Sequence, residues 1–311
     1  MIEVEKLTKY YGDYPAIEDV SFTVKKGEIL GFLGPNAAGK TTTMRILTCF
    51  MPPSGGTARI AGYDILDNSL EVRRHIGYLP ETVPLYADMG VHSYLEFMGS
   101  LRGMSSSKIN KRCDAVIELC RLEEYTDTPI GRLSKGYRQR VGIAQAILHE
   151  PDVLILDEPT IGIDPRQVVE TRKLIKDLGK EHTIILSTHI LPEVSMVCER
   201  VIIINDGRVV AVDRPENLSA RLAGSERILL EVRGPVKDVV ARIRQVQGVR
   251  DVTWEGMEDR NRYTVSCRSG QDIREALAST VVQSGWGLLG LQGVGLSLEE
   301  IFLKLTTREE I

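Results

Sequence analysis

Apolar and polar positions alternate in the first part of the chain. Ile2 and Val4, then Val20, Phe22 and Val24, fall on one side of an extended backbone. A period of two predicts half-buried β-strands. Ile29-Leu30-Gly31-Phe32-Leu33 is instead a continuous apolar run ending at Gly34, which predicts a buried strand that feeds a turn. Residues 40 to 50 change to helical spacing, with Met44, Leu47 and Met51 on one stripe. Helical spacing continues from about 92 to 150, for instance at Val116, Leu119, Cys120 and Leu122. Two more apolar runs, Val153-Leu154-Ile155-Leu156 and Thr183-Ile184-Ile185-Leu186, predict parallel strands covered on both faces. A hairpin from Val201 to Val212 turns at Asp206-Gly207.

Pro215 and Ala223-Gly224-Ser225 mark a boundary, which divides the chain into residues 1–222 and 223–311. Beyond it the rhythm changes. A strand at Ile228 to Val232 leads to a helix near 235–247, strands near 249–255 and 262–267, a helix at 271–284 and a strand near 287–292. That β-α-β-β-α-β order predicts a small ferredoxin-like α+β domain, closed by a helix from Ser297 to Leu305.

Composition changes this picture only by exclusion. With 39 Lys and Arg against 43 Asp and Glu, the net charge is −4, and no overall basic field draws the chain to nucleic acid. The five cysteines are scattered without metal-ligand spacing, which fits a reducing compartment. The N-terminus has no apolar signal core, and no run approaches the roughly 18 apolar residues of a membrane span. A membrane role must therefore come through a partner.

Three motifs carry chemistry. Gly34-Pro35-Asn36-Ala37-Ala38-Gly39-Lys40-Thr41-Thr42 matches G-x-x-x-x-G-K-T between a predicted strand and a predicted helix. Such a loop turns backbone N–H groups to one point, and the helix adds its positive end. Lys40 can reach the β- and γ-phosphates, and the Thr41 hydroxyl can ligate Mg²⁺. Asp157 and Glu158 end the apolar run at 153–156, where parallel sheets place ligands. Asp157 would complete the Mg²⁺ shell, and Glu158 could take a proton from the attacking water; alone, the pair could equally be a helix cap. In Leu133-Ser134-Lys135-Gly136-Tyr137-Arg138-Gln139-Arg140, Ser134 is an N-cap and Gly136 permits close backbone approach. Its helix N-terminus, beside Lys135, is a second anion site or simply a capped helix.

The P-loop, LSKGYRQRVGIAQAI, ILDEP, Gly162-Ile163-Asp164-Pro165 and the STH that ends in His189, in that order, resemble an ABC ATPase over about residues 1–215. The resemblance implies a parallel core sheet with an antiparallel β subdomain and a helical subdomain. It implies ATP and Mg²⁺ as cofactors, and a head-to-tail pairing with a second copy or a paralogous ATPase subunit. Ser134 and Gly136 would then contact the γ-phosphate held by the opposite subunit. His189 would touch the γ-phosphate, Tyr11 would stack on adenine, and Asp164 would couple the two sites. Arg138 and Arg140 would support their helix and take no catalytic part.

Gly77-Tyr78-Leu79-Pro80-Glu81, the LSKGYRQR signature and Ser297-Leu298-Glu299-Glu300-Ile301-Phe302-Leu303 resemble the drug, bacteriocin and gliding-motility exporter branch. There the permease is a separate membrane chain, received by the segment from about 81 to 100, and the ATPase sits in the cytoplasm against the inner membrane face. Two positions depart from the family pattern. Glu81 replaces the glutamine that contacts Mg²⁺ and the lytic water, and still offers a carboxylate to the metal. Ala37 stands where relatives carry glycine, and a right-handed backbone is expected there because alanine is strained at φ > 0. The rival readings are a soluble ABC ATPase acting on nucleic acid or ribosomes, and a P-loop kinase or GTPase. The first usually carries two cassettes or a long coiled coil; the second needs no Ser134-to-Gly136 signature.

Overall fold

The computed structural model describes residues 1–215, 217, 227–257, 259–267 and 273–294. The chain forms two compact units, Met1–Pro215 and Glu216–Ile311. The boundary expected at 222/223, the residues Ala223-Gly224-Ser225 and the closing helix from Ser297 all lie outside the described residues.

The first unit is built on a six-stranded sheet. Its strands are β3 (Ile29–Leu33), β6 (Ile76–Leu79), β7 (Val153–Asp157), β8 (Thr183–Thr188), β9 (Arg200–Asn205) and β10 (Arg208–Asp213), in the order β10-β9-β3-β8-β7-β6. All neighbours are parallel except the β9–β10 hairpin, which turns at Asp206 and Gly207 as predicted. Every residue of β3, β7 and β8 is buried, so apolar side chains are needed on both faces and alternation disappears. Each fully buried Ile or Leu there contributes about 1.5–3 kcal/mol.

A second, four-stranded sheet supplies the other side of the core. It comprises β1 (Ile2–Tyr11), β2 (Tyr14–Val24), β4 (Gly55–Ile60) and β5 (Tyr63–Asp64), in the order β2-β1-β4-β5, all antiparallel. Ile2, Val4 and Ile60 on this sheet join Leu30, Phe32 and Ile155 of the parallel sheet and Met44 of α1 (Lys40–Leu47) in one core. The Phe22 and Phe32 rings lie 5.6 Å apart within it.

Helices cover the remaining ground: α2 (Ser69–His75), α3 (Val91–Leu101), α4 (Ser106–Leu119), α5 (Lys135–Ile147), α6 (Pro165–Leu178) and α7 (Leu191–Val197). Two details differ from the sequence reading. Helix α1 stops at Leu47, because Thr48 caps it and Cys49 turns to φ 56°, so Met51 lies outside its stripe. The helical stretch from 92 to 150 is three helices. Leu119, placed on the buried stripe, is 46% exposed at the end of α4, while Cys113, Val116 and Cys120 are buried.

The second unit is a four-stranded antiparallel sheet of β11 (Arg227–Arg233), β12 (Val249–Gly256), β13 (Asn261–Cys267) and β14 (Gly287–Val294), in the order β12-β13-β11-β14. Helices Val236–Arg244 and Arg274–Gln283 bury Val239, Ile243, Leu277 and Val281 against Leu230, Tyr263 and Val265. The β-α-β-β-α-β order and central β11–β13 pair are those of the ferredoxin-like arrangement.

Candidate functional site

Because β3, β6, β7 and β8 run parallel, their C-terminal ends meet at one edge of the sheet. Leu33 pairs with Thr188, Asp157 with Ser187, and Leu79 with Leu156. The chain leaves those ends as the phosphate-loop motif, as Glu158, as His189 and as Pro80-Glu81. Four segments far apart in sequence are thereby delivered to one place, outside the carboxyl ends of the strands.

The loop from Gly34 to Gly39 turns directly into α1. Gly39 sits at φ 103°, and a Cβ there would come within 2.5 Å of Ile17 and 2.7 Å of the Ala16 carbonyl, so no other residue fits. Ala37 is not right-handed as expected: it stands at φ 65°. The loop curls to aim its amides, and that curl requires a left-handed residue whether or not glycine is present. The strain is on the order of 1 kcal/mol. Lys40 is buried, its ammonium donating to the carbonyls of Gly34 at 2.8 Å and Pro35 at 3.1 Å, with Glu158 Oε1 at 3.5 Å.

Glu158 follows β7 at φ 51°, a second left-handed non-glycine. Its N–H still donates to the Ser187 carbonyl at 2.9 Å, so the kink is anchored in the sheet. The kink directs the carboxylate to Lys40 on one side and to His189 Nδ1 on the other, at 2.9 and 3.0 Å from the two oxygens. Asp157 is fully buried. Burial pushes its carboxyl above the usual range, opposed by hydrogen bonds from Ser187 and Thr41 and reinforced by the charges of Glu158 and Glu81. Ser187 Oγ donates to Asp157 Oδ1 at 2.7 Å, whereas Oδ2 is buried without a protein partner.

Lys40 and Glu158 border a hollow of about 400 Å³ that is also lined by Asn36, Ala37, Thr41, Thr42, Glu81 and the rings of Tyr11 and Tyr14. Tyr14 was not singled out from sequence. It pairs with Tyr11 across the β1–β2 turn, where Gly12 takes φ 60°, and both rings are about half exposed. The Gly12-Asp13 turn signal flanked by two tyrosines could have found it. Ser187 was likewise passed over, although it stands inside the STH motif.

Ser134 and Gly136 do not line this hollow. Ser134 caps α5, accepting from Tyr137 N, and Gly136 is packed so closely on Gln167 that a Cβ would overlap its side chain. Asp164 caps α6 through the N–H groups of Arg166 and Gln167, both at 3.1 Å. Arg140 is buried, donating to the Cys120 carbonyl at 3.2 Å and pairing with Glu170, which fits the supporting part expected of it.

The arrangement suits transfer of a phosphoryl group to water. A cradle of amides and a buried ammonium face a carboxylate that a histidine holds in place. For a divalent cation the donor set also fits: Thr41 sits against the Asp157 carboxyl, whose Oδ2 is left without a protein partner, and Thr41 and Glu81 line the same hollow. Among the described residues no helix is long and apolar enough to cross a membrane.

Comparison with known proteins agrees with this geometry. The family described as ABC transporter matches residues 17–161. The linearmycin resistance ATP-binding protein LnrL of Bacillus subtilis (strain 168) is 33% identical over 99% of this chain and 99% of its own length. The Nod factor export ATP-binding protein I of Ralstonia nicotianae is 32% identical, covering 99% of this chain and 94% of that protein. Among solved structures, the ATP-binding subunit of an ABC transporter superposes with a TM-score of 0.66 at 32% identity, over 72% of this chain and 93% of that one. The dimeric post-hydrolysis state of an ATP-binding cassette bound to ADP and Pi gives 0.63 at 26% identity, over 69% and 98%.

Proposed function

Since the chain belongs to the ATP-binding subunits of ABC transporters, we propose that it hydrolyses ATP between two head-to-tail subunits to drive a separate membrane permease that exports its substrate. The observation that carries the reading is the convergence of Lys40, Asp157, Glu158 and His189 at the edge of the parallel sheet. Export is supported by relatives named for linearmycin resistance and Nod factor export. The pairing is supported by the dimeric cassette structure and by Ser134 and Gly136 not lining the P-loop hollow of their own chain. The nucleic-acid alternative gains nothing from these relatives.

In this reading the amides from Gly34 to Thr42 and the Lys40 ammonium hold the phosphates of ATP, while the aromatic pair Tyr11 and Tyr14 receives the base. Glu158 accepts the proton of the attacking water, and His189, bonded to both of its oxygens, fixes the direction of that carboxylate. Thr41, Asp157 and Glu81 are the residues that would hold Mg²⁺, whose chemistry is to neutralise phosphate charge. Ser134 and Gly136, brought by the second subunit, complete the donor set, so hydrolysis waits on closure. The permease places the subunit at the inner membrane face; its contact with residues 81–100 would use the exposed rings of Tyr86 and Phe97, which lie edge to face at 5.6 Å.

The test measures ATP turnover of the wild type and of Glu158→Gln, together with oligomeric state in ATP and Mg²⁺. The wild type should hydrolyse ATP, and the variant should lose about 100-fold or more while forming an ATP-dependent dimer. Equal turnover by two monomers would overturn both the base assignment and the shared site.

A further inference from the structure

Glu193 is a carboxylate in the body of the protein, 1% exposed on the short helix α7 and four residues beyond His189. A charged group in such a position is costly unless its oxygens are satisfied. Both are, one by the turn after β7 and one by the last residue of β8. Thr160, two residues after Glu158, donates its hydroxyl to Oε1. Thr188, the residue before His189, donates to Oε2 at 2.9 Å. The Arg172 guanidinium of α6 stands 3.5 Å from Oε1 and supplies the opposite charge.

The contact at Thr188 has a second half. Its Oγ1 also accepts the N–H of Ile190 at 3.0 Å, so the two peptide neighbours of His189 are tied to each other and to Glu193. Glu193 in turn donates its own N–H to the Ile190 carbonyl at 3.1 Å. The segment that carries His189 is thus closed into a small ring of hydrogen bonds. Thr160 makes the corresponding tie on the segment that carries Glu158.

We propose that Glu193 is a positioning residue for ATP hydrolysis: its two oxygens lock the segment after β7 to the C-terminal end of β8, and so set His189 against Glu158. The inference rests on the reading of Glu158 and His189 given above. A buried carboxylate suits the task because each of its two oxygens takes one hydroxyl donor, one from each segment, which adds a second tie beside the His189–Glu158 contact itself. The clamp acts on geometry. Small misplacements of a reacting group cost turnover steeply, whereas nucleotide binding is held by the phosphate loop and should not register the loss.

The experiment is a set of steady-state measurements on the purified full chain, with ATP affinity measured in parallel on each variant. Thr160→Val and Thr188→Val remove one hydroxyl each at nearly constant shape; Thr160→Ser and Thr188→Ser retain it. Each valine variant should lower kcat about tenfold with KM and ATP affinity within about threefold, and each serine variant should restore kcat to within about twofold. Glu193→Gln, which keeps one acceptor, should fall between a single valine variant and Glu193→Ala, which should lose about 100-fold. The two valines combined should do no more harm than Glu193→Ala, since they break the same unit. Valine variants that turn over at the wild-type rate overturn the proposal. So does a Glu193→Ala chain that loses affinity and kcat in equal proportion, which is the mark of a merely structural group. A wild-type chain that hydrolyses no ATP would instead sink the reading of the site itself, and the inference with it.

Discussion

The two units of this chain obey local rules to different degrees. In the second unit the central strands β11 and β13 alternate, the helices bury one face, and among the described residues only glycines take positive φ. In the first unit, the described residues with positive φ include non-glycines from Lys6 to Asp206, among them Ala37 and Glu158. Among the described residues the buried charged side chains divide the same way: Glu28, Lys40, Arg140, Asp157, Glu158 and Glu193 all belong to the first unit. A left-handed non-glycine or an enclosed charge costs free energy that only its surroundings can offset. The contrast teaches where to look for chemistry. The second unit follows local preferences more closely, and two of the first unit's departures, Ala37 and Glu158, fall where loops leave the sheet edge.

Removing the enclosed cation should have the largest effect. Lys40→Ala takes away the ammonium that faces the loop carbonyls and Glu158, and turnover should fall on the order of 100-fold or more, with weakened ATP affinity. Isothermal titration with ATP beside a turnover assay reads both. Retained affinity and rate would mean that the loop amides suffice, and that this buried charge is structural after all.

The opposite experiment probes the regular unit. Leu230 is fully buried among Ile243, Tyr263 and Val265, so Leu230→Ala should destabilise the second unit by about 2–5 kcal/mol. Hydrogen exchange should locate the loss in β11, β13 and their helices, with ATP turnover within about twofold of wild type. If turnover collapses as well, the separation of folding and chemistry between the two units does not hold.

Acid should act through the first unit. All five histidines lie there, and burial together with the charge of Arg102 pushes His149 down to about 4. Its Nε2 lies 3.1 Å from the Ile76 carbonyl, and Lys108 and Arg112 add further positive charge. An unfolded histidine takes up its proton near pH 6.5, the folded one only near 4. This contribution to stability is therefore complete above pH 6.5 and is lost as pH falls towards 4. Between pH 7.5 and 5 the loss is about 2 kcal/mol, and His149→Gln should flatten the profile by that amount. Denaturant unfolding at several pH values decides it; an unchanged slope in the variant would place acid sensitivity elsewhere.

The same contrast explains what the sequence could convey. The phosphate loop, the carboxylates Asp157 and Glu158 at the end of β7 and the His189 segment were legible because each is a short motif beside an apolar run. The β-α-β-β-α-β order was legible because the central strands of the second unit, β11 and β13, alternate. Strands β4 and β5 were not: Gly55–Ile60 buries only Ala58 and Ile60, and what makes it a strand is pairing with β1 some fifty residues away. Helix α2 buries Val72 alone, too little for a stripe. Within the site, Glu193 reads as an ordinary surface acid on a short helix until Thr160 and Thr188 are seen around it. Long-range partners decide such positions, and no local period carries them.

Ala37 gives the smallest effect and the sharpest test of what backbone strain is for. At φ 65° an alanine is held in a conformation that glycine adopts freely, so Ala37→Gly relieves about 1 kcal/mol in the folded chain. Glycine also gains about 0.4–1 kcal/mol of freedom in the unfolded chain, which offsets most of that relief. Stability should therefore rise by no more than about 0.5 kcal/mol, and kcat should stay within about twofold. The informative quantity is ATP affinity. If the loop is shaped by its ties to Gly39, Ile17 and Ala16, affinity is unchanged and the strain at Ala37 is incidental. If affinity drops about tenfold, alanine's restricted backbone is what keeps the amides aimed, and the departure from local preference is itself part of the phosphate site.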